Sequence, residues 1–451
     1  MPYGCAVRDA GSRSSGPATA RHRSPSSTSR RLPTAVAAIA VAAALLGGGA
    51  AALAFAHRPD GAGATADVAG PVAAAASPVA ERSPEPSPTP REPAVFTILG
   101  AGDVLLHNAV TFAATQGGVI DYSTVLSGLD PWVQGADLAL CHFETPVVPP
   151  GEKVTTYPMF GVPTQIVTDL AEQGWDGCST ASNHSIDRGF AGIEATLGAF
   201  DAAGLGHVGT ARNQAESDAP QLYRLERAGR TFTVAQLSMA YGLNGLALPA
   251  DKPWAVDLID VDRTVARATA ARAAGADLVV VSLHDGTEYR EAPTESQLTV
   301  TQALADSGVV DLVLGHHAHV PQAVARLAGG PGGTGMWVAY GLGNMVSNQS
   351  AECCTAATSN GLLLTATVTA EPDEPARVTG VEWTGITVDR AAGHRVRALV
   401  DAAADPGAGT LSADELAARE QRVRDVVGTE APERTTPPTP TGPAPTVLRR
   451  P

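Results

Sequence analysis

The sequence of 451 residues predicts an α/β fold, one domain in which helices lie outside a core of strands. Three observations predict it. Short β-branched apolar runs alternate with Ala-rich stretches of helical length through the middle of the chain. Two longer strand patterns follow the last alternating unit, and proline and serine gather in the flanks, where no apolar period is present.

In chain order, residues 1–33 form a basic segment, with six arginines against one aspartate. Residues 34–56, "TAVAAIAVAAALLGGGAAALAFA", are uncharged and long enough to span a bilayer, which takes about 20 apolar residues. Arginines on its N-terminal side place residues 1–33 in the cytoplasm and the body outside, as a single-pass cell-membrane protein. A signal peptide cleaved after Ala54-Phe55-Ala56, giving a secreted protein, is the other reading. Residues 57–93 read as a Pro/Ala-rich linker, 94–400 as the folded domain, and 401–451 as a helical to disordered tail. Within that tail Ser412–Val427 reads as a solvated helix outside the core.

Within the domain the expected strands are Val95–Leu99, Leu138–Cys141, Gly177–Ser179, Val279–Leu283, Val309–Leu314 and Trp337–Tyr340. Expected helices are Thr164–Gln173, Phe190–Ala203, Val261–Ala274 and Thr294–Ser307. Gln221–Arg227 and Thr231–Leu237, split by Ala228-Gly229-Arg230, predict a hairpin, and Leu362–Thr369 and Val378–Val388 predict late antiparallel strands. No internal repeat stands out.

The net charge is −15, and with the basic N-terminus set aside the remainder carries about −20. That sign disfavours nucleic acid as a partner. A polyanionic substrate needs a local cationic site, which a bound metal supplies. Of the five cysteines, Cys141, Cys178, Cys353 and Cys354 fall in the part expected to be exported, where disulfides persist. Four cysteines allow three pairings, and the sequence does not choose among them.

The residues able to do chemistry sit just past the predicted strands. Asp103 and His107 follow the first, His142 and Glu144 the second, and Asn183, His184 and Asp187 the third. His284 and Glu288 follow the fourth, and His316, His317 and His319 the fifth. Carboxyl ends of strands in an open α/β sheet form the ligand crevice, so these five segments are expected to converge. Carboxylate, amide and imidazole groups together suit Mn, Fe, Zn or Mg. His207, away from these segments, reads as structural.

The order of these segments resembles the CapA (poly-γ-glutamate capsule biosynthesis) family and, through it, the calcineurin-like metallophosphoesterases. The resemblance rests on Gly102-Asp103-Val104-Leu105-Leu106, Phe143-Glu144, Asn183-His184 with Asp187 and Gly189, and His284-x-Gly286-x-Glu288-Tyr289. It continues through Gly315-His316-His317-Ala318-His319-Val320-Pro321-Gln322 and Tyr340-Gly341-Leu342-Gly343-Asn344. It implies a metallophosphatase-like β-sandwich core flanked by helices, α/β/β/α in layers. It also implies one or two divalent ions, held by Asp103, Glu144, Asn183, His284, His317 and His319, with His316 able to replace one of the last pair. His184 resembles the charge-stabilising or proton-donating histidine, and Asp187 and Glu288 resemble partners that orient imidazoles. Two departures stand out. Leu105 occupies the place of the histidine in the usual Asp-x-His, with His107 two residues on, and His142 replaces a family asparagine. The function implied is a metal-dependent hydrolase or transferase at the membrane, acting in a polyglutamate synthase complex on a polymer or phosphoester substrate. A non-catalytic binding or export partner of a membrane synthase, and a secreted metallophosphoesterase, are the alternatives.

Overall fold

A computed structural model describes residues 92–451. The basic segment, the apolar run 34–56 and nearly all of the linker lie outside the described residues. Among those described, no helix is long and apolar enough to cross a membrane.

The strands are β1 Ala94–Val104, β2 Thr115–Gln116, β3 Val119–Ile120, β4 Leu138–Phe143, β5 Gly177–Ser179, β6 Gly206–Val208, β7 Gln221–Arg227, β8 Arg230–Ala240 and β9 Leu278–His284. They continue as β10 Leu312–His316, β11 Val324–Leu327, β12 Met336–Ala339, β13 Asn344–Val346, β14 Asn360–Ala370, β15 Arg377–Asp389, β16 Arg395–Ala398 and β17 Thr446–Leu448. One sheet runs β16-β15-β14-β1-β4-β5-β6, with β13 also on β1; the other runs β11-β12-β10-β9-β8-β7-β17. The strands β1, β4, β5 and β6 are mutually parallel, as are β8, β9, β10 and β12.

Alternation along these strands explains the layers. Phe96, Ile98 and Leu140 of the first sheet meet Val234, Val280, Leu312 and Leu314 of the second in a shared core. The opposite faces are buried too. Leu99, Cys141 and Phe143 pack under Ile166, Leu170 and Phe200 of helices Gln165–Gln173 and Gly189–Ala203. Val279, Val281 and Val313 pack under Ala268 and Leu304 of helices Val261–Ala273 and Glu295–Asp306. Strands buried on both faces read as continuous apolar runs, which is why the sequence revealed them. The helix–sheet–sheet–helix order is the one expected.

The hairpin β7–β8 turns at Ala228 and Gly229, both with positive φ, as a tight two-residue connection requires. Cys141 and Cys178 stand opposite each other on β4 and β5, 4.4 Å apart at Cα, and are disulfide-bonded. Cys353 and Cys354 are free.

The tail departs from expectation. Helix Ala413–Val427 is not a solvated appendage: Leu416, Val423 and Val427 are buried in the inter-sheet core beside Trp383 and Leu399. Beyond it the Pro-rich stretch is ordered. Its backbone bonds Trp383 of β15, Thr441 bonds Asp137 and the carbonyl of Val95, and β17 extends the second sheet along β7. Arg450 ends buried against His207, the Thr210 carbonyl and the Glu216 carbonyl. Proline lacks an N–H but keeps its carbonyl, so a chain rich in it can still be held by side chains and short pairings. Composition alone hid this.

Candidate metal centre

The carboxyl ends of β1, β4, β9 and β10 and the loops after β5 and β8 meet at one end of the sandwich. Register does the placing. Asp103 pairs with His142 across β1 and β4, and His316 with His284 across β10 and β9. The segment Tyr340–Gly343 passes between the two sheets here, and only glycine lets it through. A Cβ on Gly315 would lie 1.9 Å from the Tyr340 carbonyl oxygen, and one on Gly102 would lie 2.0 Å from that of Gly343. Asp103 N–H bonds the Gly343 carbonyl at 2.8 Å, which fixes the aspartate.

Two buried ligand sets result: Asp103, His142 and His316; and Glu144, His317 and His319. In each, one potential ligand atom per residue lies within 4.8 Å of the others. His319 joins the two, with Nδ1 3.0 Å from Asp103 Oδ2 and Nε2 3.7 Å from Glu144 Oε1. Buried polar atoms are normally hydrogen-bonded, and here they are not. Asp103 Oδ1, both Glu144 oxygens, both His316 nitrogens and His317 Nδ1 have no hydrogen-bond partner. Imidazole nitrogens and carboxylate oxygens left facing one another fit a divalent cation, which would offset the cost of burying them.

A chain of polar contacts backs these sets. Ser179 Oγ lies 2.7 Å from His142 Nδ1, His142 Nε2 2.9 Å from His284 Nδ1, and His284 Nε2 2.8 Å from Asn183 Oδ1. Asn183 in turn donates to Asn244 Oδ1 at 3.2 Å. His142, expected only as an additional candidate, therefore stands in a ligand set. His284 and Asn183 adjoin it, and both ring nitrogens of His142 and of His284 are engaged in this chain. The register that sets His142 opposite Asp103 is the reason.

His184 Nδ1 lies 2.7 Å from Asp187 Oδ2, which also accepts the Phe160 N–H, and Phe160 packs edge-on against the imidazole. His184 and Asp187 thus form a hydrogen-bonded dyad. Glu288, expected to orient an imidazole, is exposed and makes no hydrogen bond to one. His107 is half-buried at the start of helix Asn108–Ala113, accepts from Asn348 N–H and belongs to neither set.

Electrostatics follow the packing. Burial drives Glu144 well above the usual carboxylate range. Burial would also raise Asp103, but the imidazoles of His316 and His319 outweigh it and hold the group low. Burial opposes charge on His319, yet Glu144 and Asp103 overcome it and push it up to about 9. Burial pushes His142 and His284 well below their usual value and His317 down to about 3, which favours the neutral imidazole in all three.

Sequence reasoning missed Tyr241 and Asn244, which lie just beyond β8. The expected strand ended at Leu237, short of the site. The Tyr241 ring lies 4.5 Å from that of His317. Asn244, Tyr289, His317 and His319 have φ of 52°, 68°, 88° and 57°, four of the six positive-φ non-glycine residues among those described. Such backbone strain gathers at sites whose geometry is imposed by function.

The two-sheet sandwich carries buried imidazole–carboxylate sets at its strand ends that are compatible with binding divalent cations. The chain belongs to the family described as bacterial capsule synthesis protein PGA_cap, which its residues 97–349 match. It is 26% identical over 265 residues to the capsule biosynthesis protein CapA of Bacillus anthracis, covering 57% of this chain and 61% of that protein. The PGA biosynthesis protein CapA of Bacillus subtilis is 26% identical over 258 residues, covering 55% and 62%. The matches thus span about three fifths of those relatives' lengths. Among solved structures, the NAD nucleotidase of Haemophilus influenzae aligns with TM-score 0.43 and 11% identity, over 74% of this chain and 68% of that one.

Proposed function

We propose that this chain is an extracytoplasmic, membrane-tethered, metal-dependent hydrolase or transferase in the synthesis of poly-γ-glutamate or a related envelope polymer, working beside a membrane synthase. The observation that carries the chemistry is the pair of adjoining ligand sets with unpartnered buried atoms. Asp103, His142 and His316 would hold one ion and Glu144, His317 and His319 a second. A divalent ion bound there supplies Lewis acidity toward a phosphoryl or carbonyl oxygen. His184 is the proton donor to the leaving group: Asp187 fixes its ring through Nδ1, which leaves Nε2 for the substrate. Phe160 packs edge-on against the imidazole and helps hold its orientation. Family membership and the relatives' roles in capsule and PGA biosynthesis support the pathway.

The test is metal content by mass spectrometry on the full chain and on an Asp103→Ala/His316→Ala variant. Turnover of a model phosphodiester and of a γ-glutamyl amide is followed alongside. One or two Mn, Fe or Zn ions per chain, lost in the variant, with metal-dependent cleavage of either substrate, is the expected result. No metal in either protein after reconstitution would sink the proposal. Tight metal with no turnover would favour a non-catalytic synthase partner.

A further inference from the structure

The segment after β13 carries two adjacent cysteines beside the metal centre, and the proposed chemistry does not use them. The other two described cysteines, Cys141 and Cys178, are buried and bonded to each other. Cys353 is exposed and Cys354 half-buried, in a tight turn where both backbone N–H groups donate to the Ser350 carbonyl, at 3.3 and 2.9 Å. No helix or sheet pairing would have to break for the turn to change shape.

The turn is wired to the site. Gln349 accepts from Asn344 Nδ2 at 3.0 Å and reaches the Tyr289 hydroxyl at 3.4 Å. Asn344 also donates to the His319 carbonyl, and Tyr289 N–H donates to that of Ala318. Arg390 ties the outer side of the turn to Asn348, Ser350 and Glu352. The cysteine turn and the His317–His319 turn are therefore joined through Gln349, which bonds both Asn344 and the Tyr289 hydroxyl.

We propose that Cys353 and Cys354 form a reversible vicinal disulfide, made by exchange with a low-molecular-weight disulfide, and that this resets the rim of the metal centre through Tyr289 and Gln349. One thiolate attacks the disulfide RSSR, expelling RS⁻ and forming a mixed disulfide. The neighbouring thiolate then attacks the protein sulfur of that bond and expels the second RS⁻. Both RS⁻ groups take up the protons given by the two cysteines, so two RSH form for each S–S bond made. A chain that keeps Cys141–Cys178 oxidised works where such exchange is available. The eight-membered ring of adjacent cysteines is strained and exposed, which makes it the reducible bond of the two.

The experiment uses the full chain, incubated over a series of reduced-to-oxidised glutathione ratios, quenched with N-ethylmaleimide and mapped by peptide mass. Hydrogen exchange is followed in parallel. The expected result is a Cys353–Cys354 peptide 2 Da lighter, with no maleimide at the oxidising end and two at the reducing end. Exchange at Tyr289 and residues 347–354 should change by about tenfold or more between the two states in wild type, and stay constant in Cys353→Ser. Glutathione adducts or intermolecular dimers in place of the internal bond would overturn the proposal. An internal bond that leaves exchange at Tyr289 unchanged would overturn its link to the site. Neither readout involves bound metal, so the result stands apart from the hydrolase proposal.

Discussion

Both ends of the parallel strands carry acidic side chains, and the fold treats them in opposite ways. At the starts of β4, β5, β9 and β10 stand Asp137, Asp176, Asp277 and Asp311. Each accepts a backbone N–H from the neighbouring strand: Thr97 at 2.8 Å, Ala139 at 2.7 Å, Thr233 at 2.7 Å and Val279 at 2.6 Å. At the other end, Asp103 Oδ1 and both Glu144 oxygens are buried and have no hydrogen-bond partner among the described residues. The same chemical group is thus a fastening at one pole and an unsatisfied candidate ligand at the other. Burial does not separate the two cases. Hydrogen-bond accounting does, because an acid that the fold needs for itself has its partners built in.

The largest effect should come from breaking the fastened pole. Asp137 is buried and accepts from Thr97, Thr441 and the buried Arg227, tying both sheets and the C-terminal segment together. Asp137→Ala leaves the Arg227 charge buried without its carboxylate, which costs about 3–5 kcal/mol. Equilibrium urea denaturation of wild type and variant measures this. A loss near zero would mean that the acids at the strand starts are ornamental and the comparison is empty.

Much of this contrast was legible in the sequence, unevenly. The site was readable because its residues cluster directly after apolar runs whose burial on both faces makes them plain. Its ligand assignment was less so, since whether His142 or His284 enters a set depends on the register between β4, β1 and β9. Spacing along one strand does not carry that register. The fastened pole had a signal that went unused: Ala136-Asp137-Leu138, Ala276-Asp277-Leu278 and Val310-Asp311-Leu312 repeat one pattern at the starts of three strands. The C-terminal strap was hidden for a different reason. Its hold on the domain comes from Thr441, Arg450 and the three-residue β17, contacts made with residues more than 200 positions away.

A medium effect of opposite sign is expected at the site. Glu144→Gln removes a carboxyl group that burial disfavours in its charged form and that makes no hydrogen bond, at the cost of only its 3.7 Å contact with His319. In metal-free protein the melting temperature should hold steady or rise by a few degrees, about 1 kcal/mol for a domain of this size. Metal affinity should fall at the same time. Calorimetry with chelator present, then with Mn added, separates the two. A metal-free variant that melts several degrees lower would place Glu144 among the fastenings instead.

The smallest effect is the most diagnostic, because it asks whether a fastened acid still bears the cost of its burial. Burial raises Asp176 to about 7, and the Ala139 N–H that it accepts offsets only part of this. Its unfolded value is near 3.8, so between pH 4 and 7 the native chain binds more protons at this group than the unfolded chain does. Stability from Asp176 is therefore greatest below about pH 4 and falls as pH rises through 7, the reverse of a salt-bridged aspartate. Asp176→Asn keeps an oxygen for the Ala139 N–H and removes the charge. The variant should match wild type near pH 4 and exceed it by on the order of 1–2 kcal/mol at pH 8, because partial exposure of Asp176 limits the cost. Urea unfolding at a series of pH values reads this difference directly. A gap that is constant with pH would mean that Asp176 is ionised in both states, and that the backbone N–H alone compensates for its burial.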